Sequence, residues 1–168
     1  MQTLTQALNS RRHGPPRRCW LGLAATALLL VATGCTSFEH EWLRAGQSAN
    51  PPVGIVGRWQ GSWQSQANGH NGRLRAIVRQ EEDGSYSARF HAIYQKVLGF
   101  GYTVPLTLHE TNGVAGFSGQ ANLHWWAGGI YRYEGKVEGT NFFSTYACQY
   151  DHGTFQMTNC PPDVAAGH

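Results

Sequence analysis

The sequence that decides the fold is SYSARFHAIY, residues 85–94, in which apolar and polar side chains alternate and so define two faces. One face of the extended chain carries Tyr86, Ala88, Phe90, Ala92 and Tyr94. The opposite face carries Ser85, Ser87, Arg89 and His91. A period of two is typical of a half-buried β-strand, so this segment is predicted to be a strand with His91 on its outer, polar side.

Similar patterns lie on both sides of this segment, at intervals of about 8 to 12 residues and between turns that contain glycine. The predicted strands are 58–65, 73–79, 85–94, 97–108, 114–123, 130–138, 141–149 and 154–158. No helical period longer than a turn or two interrupts them, and every link is short enough for a hairpin. Because a Greek-key sandwich needs at least one long crossover, the sequence favours an all-β fold: an antiparallel up-and-down β-barrel of about eight strands.

The tripeptide Gly57-Arg58-Trp59, at the start of the first strand, resembles the Gly-x-Trp element that opens the first strand of lipocalins and other calycins. The resemblance implies a calycin-like barrel in which Trp59 closes one end. The domain is shorter than a typical lipocalin and shows no terminal helical pattern, and small barrels of this width tend to be filled by side chains. A purely structural protein with a filled barrel is therefore one alternative to a ligand-binding protein.

Upstream of the barrel, the chain has the pattern of a targeting signal. Four arginines between residues 11 and 18 precede an apolar run, residues 19–31, which is followed by Ala32-Thr33-Gly34-Cys35. The run is shorter than the about 20 apolar residues of a membrane-spanning helix, but it suits the core of a signal peptide. The small residues before Cys35 resemble the lipobox of bacterial lipoproteins, which implies removal of residues 1–34 and a lipid on Cys35. An ordinary secretory signal with an incidental cysteine is the alternative.

Lipidation would make the membrane the first partner of the mature chain. Thr36, rather than an aspartate, follows the cysteine. By resemblance to sorted lipoproteins, this favours the periplasmic face of the outer membrane in a bacterial cell envelope. Residues 35–55 show no sustained period and are predicted to form a lipidated N-terminus and flexible tether, up to ~65 Å long, with at most one helical turn over 38–43. The barrel domain is predicted to span 56–158, followed by a frayed tail, 159–168.

The net charge of the mature chain bears on its binding partners, and its cysteine content bears on disulfide formation. The whole chain carries +3, but residues 1–34 contain four arginines and no acidic residue, so the mature chain keeps nine basic and ten acidic residues. Nucleic acid is excluded as a partner, because phosphate binding needs clustered positive charge. The length suffices for one domain, which we expect to be a monomer without a cofactor. Cys148 and Cys160 remain after cleavage, and an oxidising compartment leaves both a disulfide and free thiols open.

The order of the hairpins sorts the loops between the two ends of the barrel, because consecutive loops alternate. Ordinary turn sequences gather at one end, at 82–84, 109–113 and 138–141. The other end, here called the rim, gathers the loops 68–72, 95–96, 124–129 and 150–153. The tether joins the first strand at the end opposite the rim, here called the plug end. The rim is therefore expected to face away from the membrane.

The rim brings together the residues best suited to bind a ligand. The candidate binding residues are Asn68, His70, Trp125, Trp126, Tyr150, Asp151 and His152. An exposed tryptophan offers a flat surface for stacking, while amide, imidazole and carboxylate groups form hydrogen bonds. These groups suit a saccharide, a cell-wall fragment or a lipid-like ligand, and all three remain open. Asn68, His70 and Asp151 also fit ordinary turns.

Catalysis is less well supported by the sequence. The chain contains no Gly-x-Ser-x-Gly elbow, no His-Glu-x-x-His motif, no phosphate-binding loop and no dinucleotide fingerprint. His70, His124 and His152, together with Asp151, could hold zinc in a hydrolase-like site, although their spacing matches no ligand signature. We assign no catalytic residue and no metal ligand.

Overall fold

The structure is a computed structural model that describes residues 37–47, 54–95, 98–111, 114–125 and 128–163. The predicted signal peptide and Cys35 lie outside these ranges, as does Trp126. All described residues belong to one compact unit. The statements that follow concern these residues alone.

Eight antiparallel strands close into a barrel in the order of the sequence. They are β1 Gly57–Ser65, β2 Asn71–Gln80, β3 Tyr86–Tyr94, β4 Leu98–Thr111, β5 Val114–Asn122, β6 Ile130–Glu138, β7 Asn141–Ala147 and β8 His152–Cys160. Each strand pairs with its neighbours in the chain, and β1 pairs with β8 to complete the ring. The predicted up-and-down barrel is confirmed, and every strand has a partner on each side, although β4 pairs with β5 only from Leu106 onward.

The alternation in the sequence decides which side chains fill the barrel. In β3, Ala88 and Phe90 are buried inside, and the interior positions of the other strands supply the rest of one continuous core. At the plug end Trp59 is 1% exposed, donates its indole N–H to the Ile55 carbonyl at 2.8 Å, and packs against Phe142 with ring centroids 5.4 Å apart. The tryptophan thus fills the end of the barrel at which β1 begins.

A helix lies where the sequence predicted a tether. Residues 37–46 form α1, and its Phe38 and Trp42 are buried with Ile77 on the outer surface of the barrel. The two aromatic residues are one helical turn apart, so they lie on the same face of α1. The prediction that 35–55 is a flexible tether with at most one helical turn was therefore wrong for 37–46, where a docked helix of ten residues forms. No helix in the described ranges is both long and apolar enough to cross a membrane.

Ion pairs and a stacked histidine hold α1 on the barrel. Glu39 pairs with Arg75, and Glu41 pairs with both Arg79 and Arg89. His91 lies on the outer face of β3, as predicted, but it is covered by α1 and not exposed to solvent. Its imidazole stacks on Phe38 with centroids 4.8 Å apart. Burial, and then the nearby Arg75 guanidinium, lower the pKa of His91 and favour its neutral form under the ring.

The path of α1 differs from the predicted route, in which the chain meets the barrel first at the plug end. Ser37, the first described residue, accepts a hydrogen bond from Arg89 of β3 at 2.7 Å, on the side of the barrel. The helix then runs to the plug end, where the Gly46 carbonyl accepts a hydrogen bond from the Asp163 amide at 2.8 Å. The chain does reach β1 at the plug end, as predicted. However, the described chain begins over the barrel wall, so the plug end is not its first point of contact.

The C-terminal residues are more firmly attached than the predicted tail, 159–168, implied. β8 continues to Cys160, and the Asp163 carboxylate pairs with the buried guanidinium of Arg58 at 2.9 Å. Cys148 and Cys160 are free thiols. They lie at opposite ends of β8, about 30 Å apart at the rise of an extended strand, whereas a disulfide needs Cα atoms within about 7 Å. The disulfide alternative is therefore excluded in this fold.

A candidate ligand site at the barrel rim

The closed strand order places the four predicted rim loops at one end of the barrel. These loops connect β1 to β2, β3 to β4, β5 to β6 and β7 to β8, and consecutive hairpins in an up-and-down barrel turn at alternate ends. Two described residues in them have positive φ without being glycine: Gln95 at 48° and His124 at 68°. Such a conformation is uncommon for these residue types, so the loops have a specific local geometry.

A cavity of about 280 Å³ opens inside the barrel at the rim. Aromatic side chains from six strands form most of its wall, and His70, Asp151, Ala92 and Leu123 complete it. The lining residues are Trp63, His70, Ala92, Tyr94, Phe100, Tyr102, Leu123, Tyr131, Tyr133, Tyr146, Asp151 and Phe155. The cavity is many times larger than the volume of one water molecule.

Packed rings form the floor of this cavity. Phe90 lies against Phe155 and Tyr133, with centroids 5.5 and 6.1 Å apart. Below this layer the interior is closed by Phe117 and Phe142, whose ring centroids are 4.7 Å apart, and by Trp59. The barrel is therefore filled at the plug end and hollow at the rim. The sequence had left open a barrel filled along its whole length, and the structure does not have that arrangement.

Asp151 is the most elaborately held polar side chain of the site. Its carboxylate accepts a hydrogen bond from the buried Ser65 hydroxyl at 2.6 Å and one from the Tyr146 hydroxyl at 3.2 Å. Its backbone carbonyl accepts a hydrogen bond from the Cys148 amide at 2.7 Å, and its own amide donates to the Cys148 sulfur at 3.3 Å. These contacts fix the β7–β8 loop and hold the carboxylate at the cavity wall.

Four tyrosine hydroxyls of the cavity lining have a raised pKa and stay protonated at neutral pH. Burial is the main cause that raises the pKa of Tyr102, Tyr131, Tyr133 and Tyr146. For Tyr146 the Asp151 carboxylate adds to this effect, because a second negative charge beside it is unfavourable. The cavity therefore presents neutral hydroxyl groups, which can both donate and accept hydrogen bonds.

Two buried donors in the cavity lack partners among the described residues: the Tyr133 hydroxyl and the Trp63 indole N–H. Beside the larger effect of burial, a hydrogen-bond contact between the Tyr102 and Tyr133 hydroxyls lowers the pKa of Tyr102 and raises that of Tyr133, although its geometry is not that of an ordinary hydrogen bond. An unsatisfied buried polar group costs about 1–3 kcal/mol. Both donor atoms are fully buried, so they lie behind the surface of the cavity and not on it.

His70 and Asn68 divide the roles predicted for the first rim loop. The Asn68 side chain accepts a hydrogen bond from the His70 amide at 2.9 Å, which is the turn-forming alternative for this asparagine. The turn directs the imidazole of His70 toward Tyr94, with ring centroids 5.0 Å apart, at the edge of the cavity. His70 thus lines the site, while Asn68 positions it.

The remaining predicted residues lie outside the cavity wall. Trp125 is 85% exposed and Tyr150 is 69% exposed, and neither lines the cavity. His152 begins β8 and is exposed, whereas the next residue, Gly153, faces inward against Tyr146. Of the candidate binding residues that the structure describes, His70 and Asp151 are the two that meet at the cavity.

The zinc alternative finds no support in the described ranges. They contain no group of three or more histidine, cysteine, aspartate or glutamate side chains that could hold a metal ion. His70, His124 and His152 share one end of the barrel, but strand and loop geometry directs them to different places. Local turn preferences and the alternation of side chains along a strand explain this separation. In β8 the alternation directs His152 outward.

Sequence reasoning missed most of the aromatic lining. The candidate binding residues did not include Trp63, Tyr94, Tyr102 and Tyr131, because these four belong to strands and not to loops. A usable signal was present, since each lies on the inward face of its strand and within a few residues of the rim. Inward parity combined with distance from the loop would have identified them.

No protein-family model, curated protein or solved structure significantly matches this chain. The class of molecule is therefore defined by the fold and the site. It is a closed eight-stranded β-barrel with a plugged end, an outer helix and an aromatic cavity at the rim.

Proposed function

We propose that this protein is a membrane-tethered, extracytoplasmic binding protein of the bacterial cell envelope, which holds a small and largely apolar ligand in the rim cavity. The observation that carries the proposal is the cavity itself. A concave site with apolar, aromatic walls and a few polar groups is the ordinary form of a small-molecule site. Burial of apolar ligand surface there would supply most of the binding free energy.

The character of the walls favours one of the three ligand classes considered from the sequence. A saccharide or cell-wall fragment presents many hydroxyl groups, each of which needs a hydrogen-bond partner when it is buried. The cavity has few polar groups, and the exposed ring of Trp125 stands outside it. A lipid-like or aromatic molecule has few polar groups of its own, so it can be buried against these walls without losing hydrogen bonds to water.

The size of the cavity restricts this ligand to a compact molecule. Its volume of about 280 Å³ is near the lower limit of the 300–1,000 Å³ typical of small-molecule sites. Phe100 lines the cavity and is 51% exposed, so the apolar wall continues to the surface of the rim. A compact ring system fits this space better than a long acyl chain does.

Binding can be tested by filling the cavity from within. Ala92→Phe places a phenyl ring on the cavity wall, and binding of the neutral fluorescent probe N-phenyl-1-naphthylamine is expected to weaken by about tenfold or more, because the ring occupies the ligand's volume. The matched control is Ala147→Phe, which adds the same ring at an exposed position of β7. The measurement is probe fluorescence titrated against full-length protein, with circular dichroism to verify the fold.

The two variants separate the cavity from the outer surface. Saturable binding by wild type and by Ala147→Phe, but not by Ala92→Phe, supports the proposed site. Equal binding by all three proteins would show that the probe binds elsewhere, and absence of binding to the wild type would contradict the proposed function directly.

The membrane tether has its own test at the sequence level. Cys35→Ser is expected to remove the lipid and to move the protein from the membrane fraction to the soluble fraction, or to leave an unprocessed precursor. Cys19→Ser, in the predicted signal core, is the matched control and should behave as wild type. The measurement is fractionation with electrophoretic mobility and metabolic labelling by palmitate. Recovery of Cys35→Ser in the membrane at wild-type level and mobility would exclude the lipid anchor.

A further inference from the structure

The charge of the rim cavity points to the charge of its ligand. Asp151 carries the one formally charged side chain in the described lining of the cavity. No salt bridge joins it to any lysine or arginine that the structure describes; Lys96, in the β3–β4 loop, lies outside those residues. A carboxylate at an apolar wall is unfavourable unless its charge is compensated. A bound ligand can supply that compensation.

The contacts of Asp151 leave room for such a ligand. Its two hydrogen bonds come from neutral hydroxyls, those of Ser65 and Tyr146, which orient the carboxylate without cancelling its charge. A carboxylate has about four lone-pair positions, so two remain. An ammonium group can donate a hydrogen bond to one of these positions. A quaternary ammonium group has no N–H, so it would interact with the carboxylate through its charge alone.

The rings around Asp151 favour the same charge. Tyr146 stacks on Tyr131 at 6.0 Å between centroids, and Tyr131 continues to Tyr133 at 6.3 Å. The faces of aromatic rings carry negative potential and attract organic cations, and cages of such rings bind quaternary ammonium groups. An aromatic wall beside a carboxylate therefore favours a cation over an anion such as a fatty-acid carboxylate.

We propose that the ligand of the rim cavity is an organic cation: an amine or quaternary ammonium compound with a compact apolar body. The proposal rests on the proposed binding function and specifies the substrate class of the same cavity. Asp151 is its specificity-determining residue, and the aromatic rings of the wall surround the cation.

The test compares two ligands of nearly the same shape and different charge. Choline phenyl ether carries a trimethylammonium group, and 3,3-dimethylbutyl phenyl ether is its neutral carbon isostere. Each competes with N-phenyl-1-naphthylamine for the full-length protein. The cation is expected to bind about tenfold tighter than the isostere, because the Asp151 carboxylate attracts the positive charge and an aromatic lining accommodates a quaternary ammonium group. 4-Phenoxybutyrate, an anion of similar size, is expected to be the weakest competitor.

Substitution of the carboxylate assigns the preference to Asp151. Asp151→Asn keeps the size of the side chain and is expected to reduce the preference for the cation to within about twofold, with the isostere's affinity unchanged. The matched control is Asp83→Asn at the plug end, where the carboxylate also accepts hydrogen bonds from neutral donors, both on Ser85. This control should retain the full preference.

The outcomes separate this inference from the proposed function. If the wild type binds the fluorescent probe in the cavity but binds the cation no better than its isostere, the cation proposal is overturned and the binding function stands. That comparison uses only wild-type protein, so it holds even if Asp151→Asn fails to fold. A preference that survives in folded Asp151→Asn would also overturn the assignment. Failure of the probe itself to bind would overturn both.

Discussion

Replacement of the plug tryptophan, Trp59→Ala, is expected to lower the free energy of unfolding by about 3–5 kcal/mol, which is typical for removal of a large buried aromatic side chain. Trp59 is 1% exposed and lies against Phe142. The substitution would leave a void at the plug end and an unpaired Ile55 carbonyl, which now accepts the indole N–H. Urea denaturation followed by tyrosine fluorescence and circular dichroism measures the loss.

A second tryptophan of the same chain provides the control. Trp125 is 85% exposed at the rim, so Trp125→Ala is expected to change stability by no more than about 0.5 kcal/mol. Because the plug is at the other end of the barrel, Trp59→Ala protein that remains folded should still bind ligand at the rim. A cost for Trp59→Ala as small as that for Trp125→Ala would mean that the indole does not close the barrel.

The second large effect is expected where α1 docks on the barrel. Phe38 is 1% exposed, stacks on His91, and has the Arg75 guanidinium 5.2 Å from its ring centroid. Phe38→Ala is expected to cost about 3 kcal/mol of stability, because it removes the main apolar contact of a short helix that has little stability alone. The measurement is again urea denaturation, combined with hydrogen exchange of the amides in 37–46.

Leu43 is the matched control on the same helix. It is 57% exposed, and Leu43→Ala is expected to be within about 0.5 kcal/mol of wild type. If α1 detaches before the barrel unfolds, hydrogen exchange will show faster exchange in the helix of Phe38→Ala while the strands stay protected. Equal effects of the two substitutions would contradict the docking of α1.

The barrel could be predicted from the sequence because the alternation and the short turns that determine it are local features of the chain. A period of two in 85–94 assigns Phe90 to the interior and Arg89 to the exterior whatever the partner strand is. Short links then allow only neighbouring strands to pair, which sets the order and sorts the loops between the two ends. The rim followed from this topology without any side-chain contact, and His70 and Asp151 were assigned to it together with residues that do not line the cavity.

The docking of α1 and the cavity depend on distant contacts that no local pattern contains. Phe38 and Trp42 are two aromatic residues in a short polar segment, and their partner Ile77 is on the polar-patterned side of β2. Burial there requires α1 to cover a patch that alternation assigns to solvent. The cavity likewise depends on the volumes of side chains from several strands. Ala92 leaves space where a larger residue would fill the barrel, and alternation does not record side-chain size.

The position of α1 has a consequence for how the molecule would search for its ligand. The helix begins at residue 37, so only one residue separates it from Cys35. With a lipid on that cysteine, the linker between the lipid anchor and the folded domain would be about 7 Å long, compared with the ~65 Å of an extended segment 35–55. The domain would then explore a thin layer next to the bilayer and encounter molecules concentrated at the membrane surface, with little access to the bulk of the compartment.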